Sequence, residues 1–589
     1  MLSLFGCLPP IQEVVVVKGA LGLGRQNPFP SVELVGADGF IAFEDGDLPQ
    51  KEGGTAWDFS AFTGREGFSV VQPAVVRFPV VIDPETIGGQ DLVSADGPVR
   101  MIDLYSGEAL LCFAELDAAE DVPVGSTATL IVRPMQALPA GHTVAVVVTG
   151  QVKSGGAALV LPEPEGHYAE LQELLAELGQ DDVSFAWDFP VARDTALLDA
   201  TLAASTAASA AASFTSVWEA GTGEEPPPGL WRLGEGSFPT VELLVDGERM
   251  ALDADRIPTV QGQRQAYLMV AIPKSVEEAA PGTVPILIFG HGIMSDPEDY
   301  LAEDDDPSGV IALASAMGAI VVATRWTGLT SADRLHAIEV ADDFARFDEI
   351  PQMLAQGVAD TRALITSVSD GTLLADPIFK ELGDPSNITY YGISLGGIEG
   401  AVMLANQDVI ERGVLHVGGA AWATMLERSA QWPPFDLVVT RNFPDPWDRQ
   451  VLYAATQMLW DPVDPASYAD ELGARTLLWQ ESVGDEQVPN LTTELLMRSA
   501  RVPLATPAVN APTGMLTRAM RYAGSGMTQF DPEKGLPDPV NRPADLTGAH
   551  TDPRTWPGAQ AQTIHFLEAG VVAHYCGEAP CSAANPGSF

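Results

Sequence analysis

A glycine-flanked serine at the end of a predicted strand constrains this chain more than any other feature. Residues 387–393 are rich in β-branched and aromatic side chains, and they run into the pattern G-I-S-L-G centred on Ser394. Residues 398–406, which contain alanine and leucine, predict a helix directly afterwards. In a nucleophile elbow, small residues on both sides of the serine let neighbouring backbone pass close, so the hydroxyl stands above the sheet. The alternative is an ordinary glycine-rich turn, because the chain contains 56 glycines.

A catalytic serine needs a base, and four of the eight histidines follow Ser394 in the chain. His416 lies in an apolar run that predicts the next buried strand, where a histidine with a core role is expected. His565 falls in a predicted helix and His574 in the C-terminal tail. His550 lies in a turn-rich loop directly before the last predicted helix, so we favour His550 as the base.

The orienting acid is expected in a loop after a late strand. Residues 475–481 predict a buried strand, which is followed by the loop that contains Asp485. A carboxylate there can hold an imidazole in the correct tautomer and stabilise the imidazolium. Asp485 is also well suited to a turn or a helix cap, which is the alternative interpretation. Glu486 and Glu481 are the second choices for the acid.

An oxyanion site is predicted after an earlier apolar strand, residues 284–289, which ends in G-H-G-I. The backbone N–H groups of Ile293 and Leu395 are the expected donors to a developing oxyanion. Gly292 lets substrate and backbone approach each other. We expect His291 to hydrogen-bond the loop rather than to titrate in a reaction.

The bulk composition indicates a folded chain with an unusually acidic surface. Its 589 residues are 46% hydrophobic and include 11 tryptophans, which favours several packed units rather than disorder. There are 80 acidic and 31 basic residues, so the formal net charge is −49. Such a surface repels nucleic acid and anionic membrane headgroups, and we expect no nucleic-acid partner. Adaptation to salt and a plain solvated acidic surface explain this charge equally well.

The four cysteines bear on localisation. Cys576 and Cys581 are close enough in a turn-rich tail to form a small disulfide loop, which suits an oxidising compartment. Cys112 is expected to be a buried thiol. Cys7 follows residues that resemble the end of a bacterial lipoprotein signal, although only six residues precede it. We therefore expect a secreted or bacterial cell-surface protein, with a lipid anchor at Cys7 as one hypothesis.

The order of predicted elements divides the chain into three parts. Residues 11–220 are predicted as a β-rich, sandwich-like domain with a helical segment, and residues 221–232 as a proline- and glycine-rich linker. From residue 233 to 589, alternating strands and helices predict an α/β domain with a mainly parallel sheet and helices on both faces. Residues 422–472 are long for one crossover and predict a cap over the site, the alternative being a plain helical excursion.

Residues 240–589 resemble the α/β-hydrolase superfamily. The matching features are the G-H-G-I motif of residues 290–293, residues 324–329 after a predicted strand, the elbow at Ser394, and residues 562–567, which lead to the paired cysteines. The later part of the chain is similar to large secreted or surface-anchored bacterial lipases and esterases, and residues 60–150 resemble their immunoglobulin-like β-domain. This resemblance implies that Ser394, Asp485 and His550 are nucleophile, acid and base. It also implies an α/β-hydrolase catalytic domain that requires no metal or organic cofactor.

The expected activity is therefore cleavage of carboxylic esters through an acyl-enzyme, with a small-molecule, lipid or polymer ester as substrate. Activity should rise through pH ~6–7, because a neutral imidazole must accept the serine proton. Two classes of alternative remain open. The same three residues could serve a polyester depolymerase or a peptidase or amidase, or the fold could be catalytically silent and serve surface adhesion.

Overall fold

The computed structural model describes residues 14–16, 25–89, 97–119, 127–160, 165–205, 211–223, 225–253 and 256–588, so Cys7 lies outside the described residues. In chain order its strands are β1 (Val14–Val16), β2 (Ala74–Phe78), β3 (Val99–Asp103), β4 (Ala109–Leu110), β5 (Cys112–Leu116), β6 (Ala128–Pro134), β7 (Thr143–Thr149), β8 (Lys153–Ser154), β9 (Ala157–Val160), β10 (Val183–Pro190), β11 (Ser213–Glu219), β12 (Leu230–Glu242), β13 (Leu244–Val245), β14 (Arg249–Met250), β15 (Gly262–Pro273), β16 (Val284–Gly290), β17 (Ile320–Ala323), β18 (Gly383–Ile393), β19 (Arg412–His416), β20 (Thr476–Ser482), β21 (Leu504–Thr506), β22 (Thr517–Ala519), β23 (Tyr522–Ala523), β24 (Gly526–Asp531), β25 (Val571–Val572) and β26 (Cys581–Ser582).

The α-helices are α1 (His167–Glu177), α2 (Ala196–Ala204), α3 (Glu298–Leu301), α4 (Val310–Met317), α5 (Arg334–Asp342), α6 (Glu349–Ser369), α7 (Leu395–Ala405), α8 (Trp422–Leu426), α9 (Pro433–Asn442), α10 (Pro446–Trp460), α11 (Ala469–Gly473), α12 (Asn490–Ala500) and α13 (Pro557–Ala569). Short 3-10 helices span Val32–Leu34, Phe59–Phe62, Pro84–Thr86, Lys274–Val276, Phe344–Arg346, Pro377–Phe379, Asp461–Val463, Pro465–Tyr468 and Asp552–Thr555. Among the described helices, none is both long and apolar enough to cross a membrane.

The first ten strands form three small sheets, with the orders β1-β9-β8, β10-β7-β3-β4 and β2-β6-β5. Strand β7 shows why a continuous apolar run is needed here. Val146 and Val148 face the main core, while Ala145 and Val147 face a second cluster that helix α1 completes with Leu171. Burial on both faces favours β-branched residues at successive positions rather than an alternating pattern.

The remaining large sheet has the strand order β11-β12-β15-β17-β16-β18-β19-β20-β24-β21-β22, with β26 beside β24. Strands β17 to β24 run parallel along this order, whereas β11, β12 and β15 form an antiparallel edge. Successive residues of β16 point to opposite faces: Ile288 joins the core with α6 and α7, and Leu287 joins the cluster with α4 and α13. Helices therefore cover both faces of the parallel part, as the alternation of elements predicts.

The structure corrects two predictions about the middle of the chain. Residues 221–232, predicted as an interdomain linker, contain the turn between β11 and β12, which are antiparallel neighbours in the large sheet. That pairing also places residues 213–219 with the large sheet rather than with the N-terminal part. The proline- and glycine-rich composition reflects the hairpin turn, because turns and linkers favour the same residues. The predicted boundary at residue 220 is therefore wrong.

The segment predicted as a cap, residues 422–472, contains α8 to α11 and lies between β19 and β20. Its longest helix, α10, is buried over almost its whole length. Helix α10 packs against strand β2 of the N-terminal part, and its residue Trp460 also lines the cavity beside Ser394.

Candidate active site

The elbow serine lies between the last residue of β18 and the first residue of α7. Ser394 has φ +58° and ψ −116°, a conformation that non-glycine residues rarely adopt. A Cβ atom on Gly392 would lie 2.0 Å from the carbonyl oxygen of Gly396, and one on Gly396 would lie 2.1 Å from the carbonyl oxygen of Gly290. The backbone is therefore so close here that only glycine fits at these positions, and the strained serine is held by its surroundings. The large sheet, its flanking helices and this elbow fit an α/β-hydrolase domain.

Asp485 and His550 form a buried pair. Nδ1–H of His550 donates to the Asp485 carboxylate, with 2.9 Å to Oδ1 and 2.8 Å to Oδ2. Oδ1 of Asp485 also accepts the backbone N–H groups of Gln487 and Val488, both at 2.8 Å. Both partners are almost fully buried. Since the carboxylate takes Nδ1–H, the neutral imidazole presents Nε2 as a proton acceptor.

Ser394 and the histidine loop lie at the same edge of the sheet. The register places Ile393 beside His416 and His416 beside Gln480, so β18, β19 and β20 end together. The Ser394 N–H donates to the His416 carbonyl at 2.9 Å, and Oγ of Ser482 donates to the Ala549 carbonyl at 2.6 Å. Among the described residues, neither the Ser394 hydroxyl nor Nε2 of the imidazole makes a hydrogen bond. Catalytic hydrogen bonds are often long before substrate binds and tighten in the complex.

The backbone N–H groups of Ile293 and Leu395, near Ser394, have no acceptor among the described residues. The N–H groups on either side of Ile293 are engaged, because the Gly292 N–H donates to Tyr300 Oη at 3.0 Å and the Met294 N–H donates to the Leu329 carbonyl at 2.7 Å. A Cβ atom on Gly292 would lie 3.6 Å from Cβ of Ser394, so this loop passes directly beside the serine. The two free donors match the requirement for an oxyanion site.

His291 connects this loop to the segment after β17. Its Nδ1–H donates to the Gly292 carbonyl at 2.8 Å, and its Nε2 accepts the Trp326 N–H at 2.9 Å. Burial lowers the pKa of His291 to about 4, so the ring is neutral at physiological pH. These two bonds hold the ring of His291 between the loop and the segment after β17.

The alternative bases have different partners. Nδ1 of His416 bonds Oε1 of Gln480 at 2.9 Å, and burial lowers the pKa of His416 to about 3. Nε2 of His565 lies 2.8 Å from Nη2 of Arg521, and Nδ1 of His574 accepts the N–H of Cys576 at 3.2 Å. Of the described histidines that follow Ser394, His550 is the one paired with a carboxylate.

The alternative acids are also engaged elsewhere. Oε2 of Glu481 accepts from Nε2 of Gln529 at 2.9 Å, and burial raises the pKa of Glu481 well above its usual range. Glu486 bonds to the histidine loop but not to the imidazole. Asp485 is therefore the acid that the structure places on the His550 ring.

A narrow cavity of about 90 Å³ opens beside Ser394, and its walls are almost entirely apolar. The cap segment contributes Trp422, Met425, Trp432, Phe435 and Trp460 to these walls. A second group of lining residues, which the sequence analysis did not assign to the site, comes from α5, the turn after it and the start of α6: Ala337, Val340, Ala341, Phe347 and Ile350. The apolar spacing within α5 is typical of any amphipathic helix. The sequence pattern therefore does not distinguish residues that line a pocket from residues that pack in a core.

Two clusters in the described part of the chain have the residue types of a metal site. Glu248, His336 and Glu349 lie close together, but Glu349 is also bound by Arg346 at 2.9 Å, so this cluster is an ion-pair network. Cys576 and Cys581 lie near His574 and are joined to each other by a disulfide bond, which leaves no thiolate to ligate a metal.

No protein-family model matches the chain, and no curated protein matches it. Among solved structures, the chain is similar to an acetyl xylan esterase from Paenibacillus sp. R4, with 12% identity, 56% of this chain and 84% of that chain covered, and a TM-score of 0.32. Acetyl xylan esterase 1 from Thermoanaerobacterium sp. JW/SL YS485 has 13% identity, 63% and 93% coverage and a TM-score of 0.33. A puromycin-hydrolyzing peptidase from Mycobacterium tuberculosis has 14% identity, 58% and 45% coverage and a TM-score of 0.32. These TM-scores are low, so the function is inferred below from the residues around Ser394.

Proposed function

We propose that this protein is a serine hydrolase that cleaves carboxylic esters through an acyl-enzyme. The observation that carries the proposal is the buried Asp485–His550 pair at the edge of the sheet where the strained Ser394 elbow stands. A nucleophile, a base and an acid that orients the base are the parts that acyl transfer requires. In this proposal the nucleophile, Ser394, follows β18 directly, and the orienting acid, Asp485, lies in the loop after β20.

The proposed chemistry uses these groups in sequence. Oγ of Ser394 attacks the ester carbonyl carbon while Nε2 of His550 accepts the serine proton. The carbonyl oxygen becomes an oxyanion, which the N–H groups of Ile293 and Leu395 stabilise. The tetrahedral intermediate then expels the alcohol, to which His550 returns the proton. Water, deprotonated by His550, then attacks the acyl-enzyme carbonyl. The second tetrahedral intermediate breaks its bond to Oγ of Ser394 as His550 returns the proton to that oxygen, which releases the carboxylic acid.

The apolar cavity beside Ser394 supports an ester with an apolar acyl group. Its walls of tryptophan, phenylalanine, methionine and alanine offer little to hydrogen-bond a sugar or a charged acid, and burial of apolar surface is worth ~25 cal/mol per Å². A lipid ester or an apolar polymer ester fits this lining as well as a small-molecule ester does. The Cys576–Cys581 disulfide supports our proposal of a secreted or cell-surface location, since such bonds persist in oxidising compartments.

Hydrolysis of a series of p-nitrophenyl esters, from acetate to palmitate, tests this proposal. We expect wild-type activity and a loss of ~10³-fold or more in Ser394→Ala, because the nucleophile is removed while the fold is kept. Ser386→Ala is the matched control, since Ser386 is an exposed serine on the same strand, and its activity should equal that of wild type.

A fluorophosphonate probe provides a second readout. It should label Ser394, as shown by peptide mass spectrometry, and should not label Ser394→Ala. A folded wild-type protein that neither hydrolyses any ester nor takes the probe would refute the hydrolase proposal and favour a silent adhesion role. Probe labelling together with cleavage of amides but not esters would favour the amidase.

A further inference from the structure

We infer that Glu486 is a positioning residue for the proposed reaction, because its carboxylate holds the loop that carries His550. This inference rests on the proposed function. The two neighbouring carboxylates then have different roles. Asp485 accepts a hydrogen bond from the imidazole ring, and Glu486 accepts one from the backbone N–H of the same histidine.

Three hydrogen bonds attach the histidine loop to Glu486. Oε2 accepts from Oγ1 of Thr547 at 2.9 Å and from the N–H of His550 at 3.2 Å, and Oε1 accepts from the N–H of Gly548 at 3.2 Å. The Glu486 side chain is 1% exposed. Hydrogen bonds to an ionised acceptor are roughly twice as strong as neutral ones, and water competes little at a buried site.

The loop needs such an anchor because it has no strand or helix of its own. Residues 532–551 connect β24 to the short 3-10 helix before α13 without any regular element. Backbone groups in such a stretch must find partners outside a ladder. The carboxylate of Glu486 accepts two of these backbone N–H groups, those of Gly548 and His550, and the hydroxyl of Thr547. Without it, the backbone of the loop beside His550 would keep the bonds from Ser482 to the Ala549 carbonyl and from Arg554 to the His550 carbonyl, but none from the acid loop to a backbone N–H.

Glu486 also bonds to residues 422–472, so this segment is attached to the loop that carries Asp485. The Ala430 N–H donates to the Glu486 carbonyl at 2.7 Å, and Nε2 of Gln431 donates to Oε1 of Gln487 at 2.9 Å. The acid loop, the histidine loop and one wall of the apolar cavity therefore meet at Glu486. A shift of 1 Å in a reacting group can cost ~10²-fold in rate. A small displacement of the His550 loop at this junction is therefore expected to lower the reaction rate.

The charge state of Glu486 suits this role. Burial opposes its ionisation, but hydrogen bonds from its own N–H, from Thr547, from His550 and from Gly548 hold the pKa of Glu486 below its usual range. It is therefore a carboxylate at neutral pH and can accept all three bonds at once.

The test compares Glu486→Ala, Glu486→Gln and Thr547→Val with Glu568→Gln, which removes the same charge from the exposed side of α13 after the histidine loop. We would measure kcat and KM on one p-nitrophenyl ester, with kcat divided by the fraction of sites that fluorophosphonate titrates. We expect kcat to fall ~10–100-fold in Glu486→Ala with KM within twofold. Glu486→Gln, which keeps one acceptor oxygen, should fall between Glu486→Ala and wild type, and Thr547→Val should fall least. Glu568→Gln should match wild type.

A double-mutant cycle with Asp485→Asn separates positioning from mere stabilisation. If both carboxylates act through His550, loss of Glu486 should cost much less in the Asp485→Asn background than in wild type, because the imidazole is already misoriented. An equal cost in both backgrounds, or a lower melting temperature with unchanged kcat per titrated site, would overturn the inference. If Glu486→Ala does not fold, Glu486→Gln and Thr547→Val carry the same comparison. An active wild type with an inactive Ser394→Ala and unaffected Glu486 variants would refute only the positioning role, whereas an inactive wild type would refute the proposed function.

Discussion

At the scale of single residues, three glycines make the elbow possible, and the sequence revealed only two of them. Gly392 and Gly396 flank Ser394 in the chain, so the local pattern predicts that they must be small. Gly290 lies about a hundred residues earlier and becomes critical because β16 and β18 are neighbours, with Gly290 in register with Gly392. A Cβ atom on Gly290 would lie 2.1 Å from the Tyr390 hydroxyl and 3.0 Å from Cα of Gly396. Gly290 is therefore required because β16 pairs with β18, and this pairing joins residues that are far apart in the sequence.

Another residue-scale prediction concerns Asp360, a buried carboxyl on α6. Burial raises the pKa of Asp360 to about 6 from its ordinary value of 3.8, although Arg264 lies 3.4 Å away and Gln356 donates to Oδ1 at 2.9 Å. Between these two pH values the folded state keeps a proton that the unfolded state releases, so stability falls as pH rises through this window and is level above it. Asp360→Asn should remove that fall.

The measurement is urea unfolding of Asp360→Asn and wild type at several pH values from 5 to 8. The stability of the variant relative to wild type should increase by ~1 kcal/mol over this range. Asp408→Asn is the control, because Asp408 is exposed, and its relative stability should not change with pH. A relative stability of Asp360→Asn that is constant or decreases with pH would contradict the prediction.

At the scale of elements, the apolar cavity beside Ser394 is lined by helices from two parts of the chain. The length of residues 422–472 indicates an insertion near the site, and α8 to α10 line the cavity. Helix α5, between β17 and α6, also lines the cavity and packs against α9. Nothing in the sequence of α5 distinguishes a face that lines a cavity from a face that packs in a core, because both require small apolar residues.

Filling the cavity from α5 should shift the preferred acyl length. In Ala341→Phe the larger ring enters the space beside Ser394, so kcat/KM for decanoyl and longer esters should fall at least ~10-fold while the acetyl ester changes less than ~3-fold. Leu335→Phe is the matched control, because Leu335 is 74% exposed on the same helix and should leave the chain-length profile unchanged. Equal losses on all chain lengths would mean that the cavity does not hold the acyl group.

At the scale of the whole molecule, the N-terminal strands are joined to the cap segment by buried polar contacts. Oγ of Ser69 donates to Asp461 at 2.5 Å and Nε2 of Gln72 donates to the Ala454 carbonyl at 2.7 Å. Arg133 of β6 bridges Glu115 and Glu427, and it is 1% exposed. One continuous apolar core also contains residues from both parts of the chain. The N-terminal part of the chain therefore packs directly against residues 422–472, which also line the cavity.

This packing predicts that both parts unfold together and that the buried arginine matters. Arg133→Met removes the arginine that pairs with the buried Glu427 and one of the two arginines that pair with the buried Glu115. We therefore expect a loss of ~3–5 kcal/mol in a single transition that also abolishes ester hydrolysis. Arg193→Met is the matched control: Arg193 also pairs with the cap segment, through Glu471 at 2.9 Å, but both side chains are more than one third exposed. It should cost less than ~1 kcal/mol.

Urea unfolding followed by tryptophan fluorescence and by ester hydrolysis would measure both variants. Two separate transitions in wild type would contradict the single core, and equal costs for Arg133→Met and Arg193→Met would contradict the role of the buried bridge.

The order of strands and helices could be predicted from the sequence, but the division between the parts could not. Strands such as β7 and β16 stand out because their apolar residues are continuous and bounded by turn residues. The turn between β11 and β12 has the composition of a linker, because hairpin turns and flexible linkers are both rich in glycine and proline. Only the partner of each strand distinguishes them, and the partner is not encoded locally.

The sequence by itself determined the elbow at Ser394, the alternation of strands and helices, and Asp485 and His550 as candidates, because each is marked by a local pattern of a few residues. The tertiary structure decided which carboxylate meets which histidine. Asp485, Glu486 and Glu481 are nearly equivalent in sequence, yet one bonds the imidazole, one bonds the histidine loop and one is buried against Gln529. Side chains only a few residues apart can point to different neighbours, and those neighbours come from parts of the chain about fifty to sixty-five residues away. Such contacts exist only once the sheet has brought the loops together.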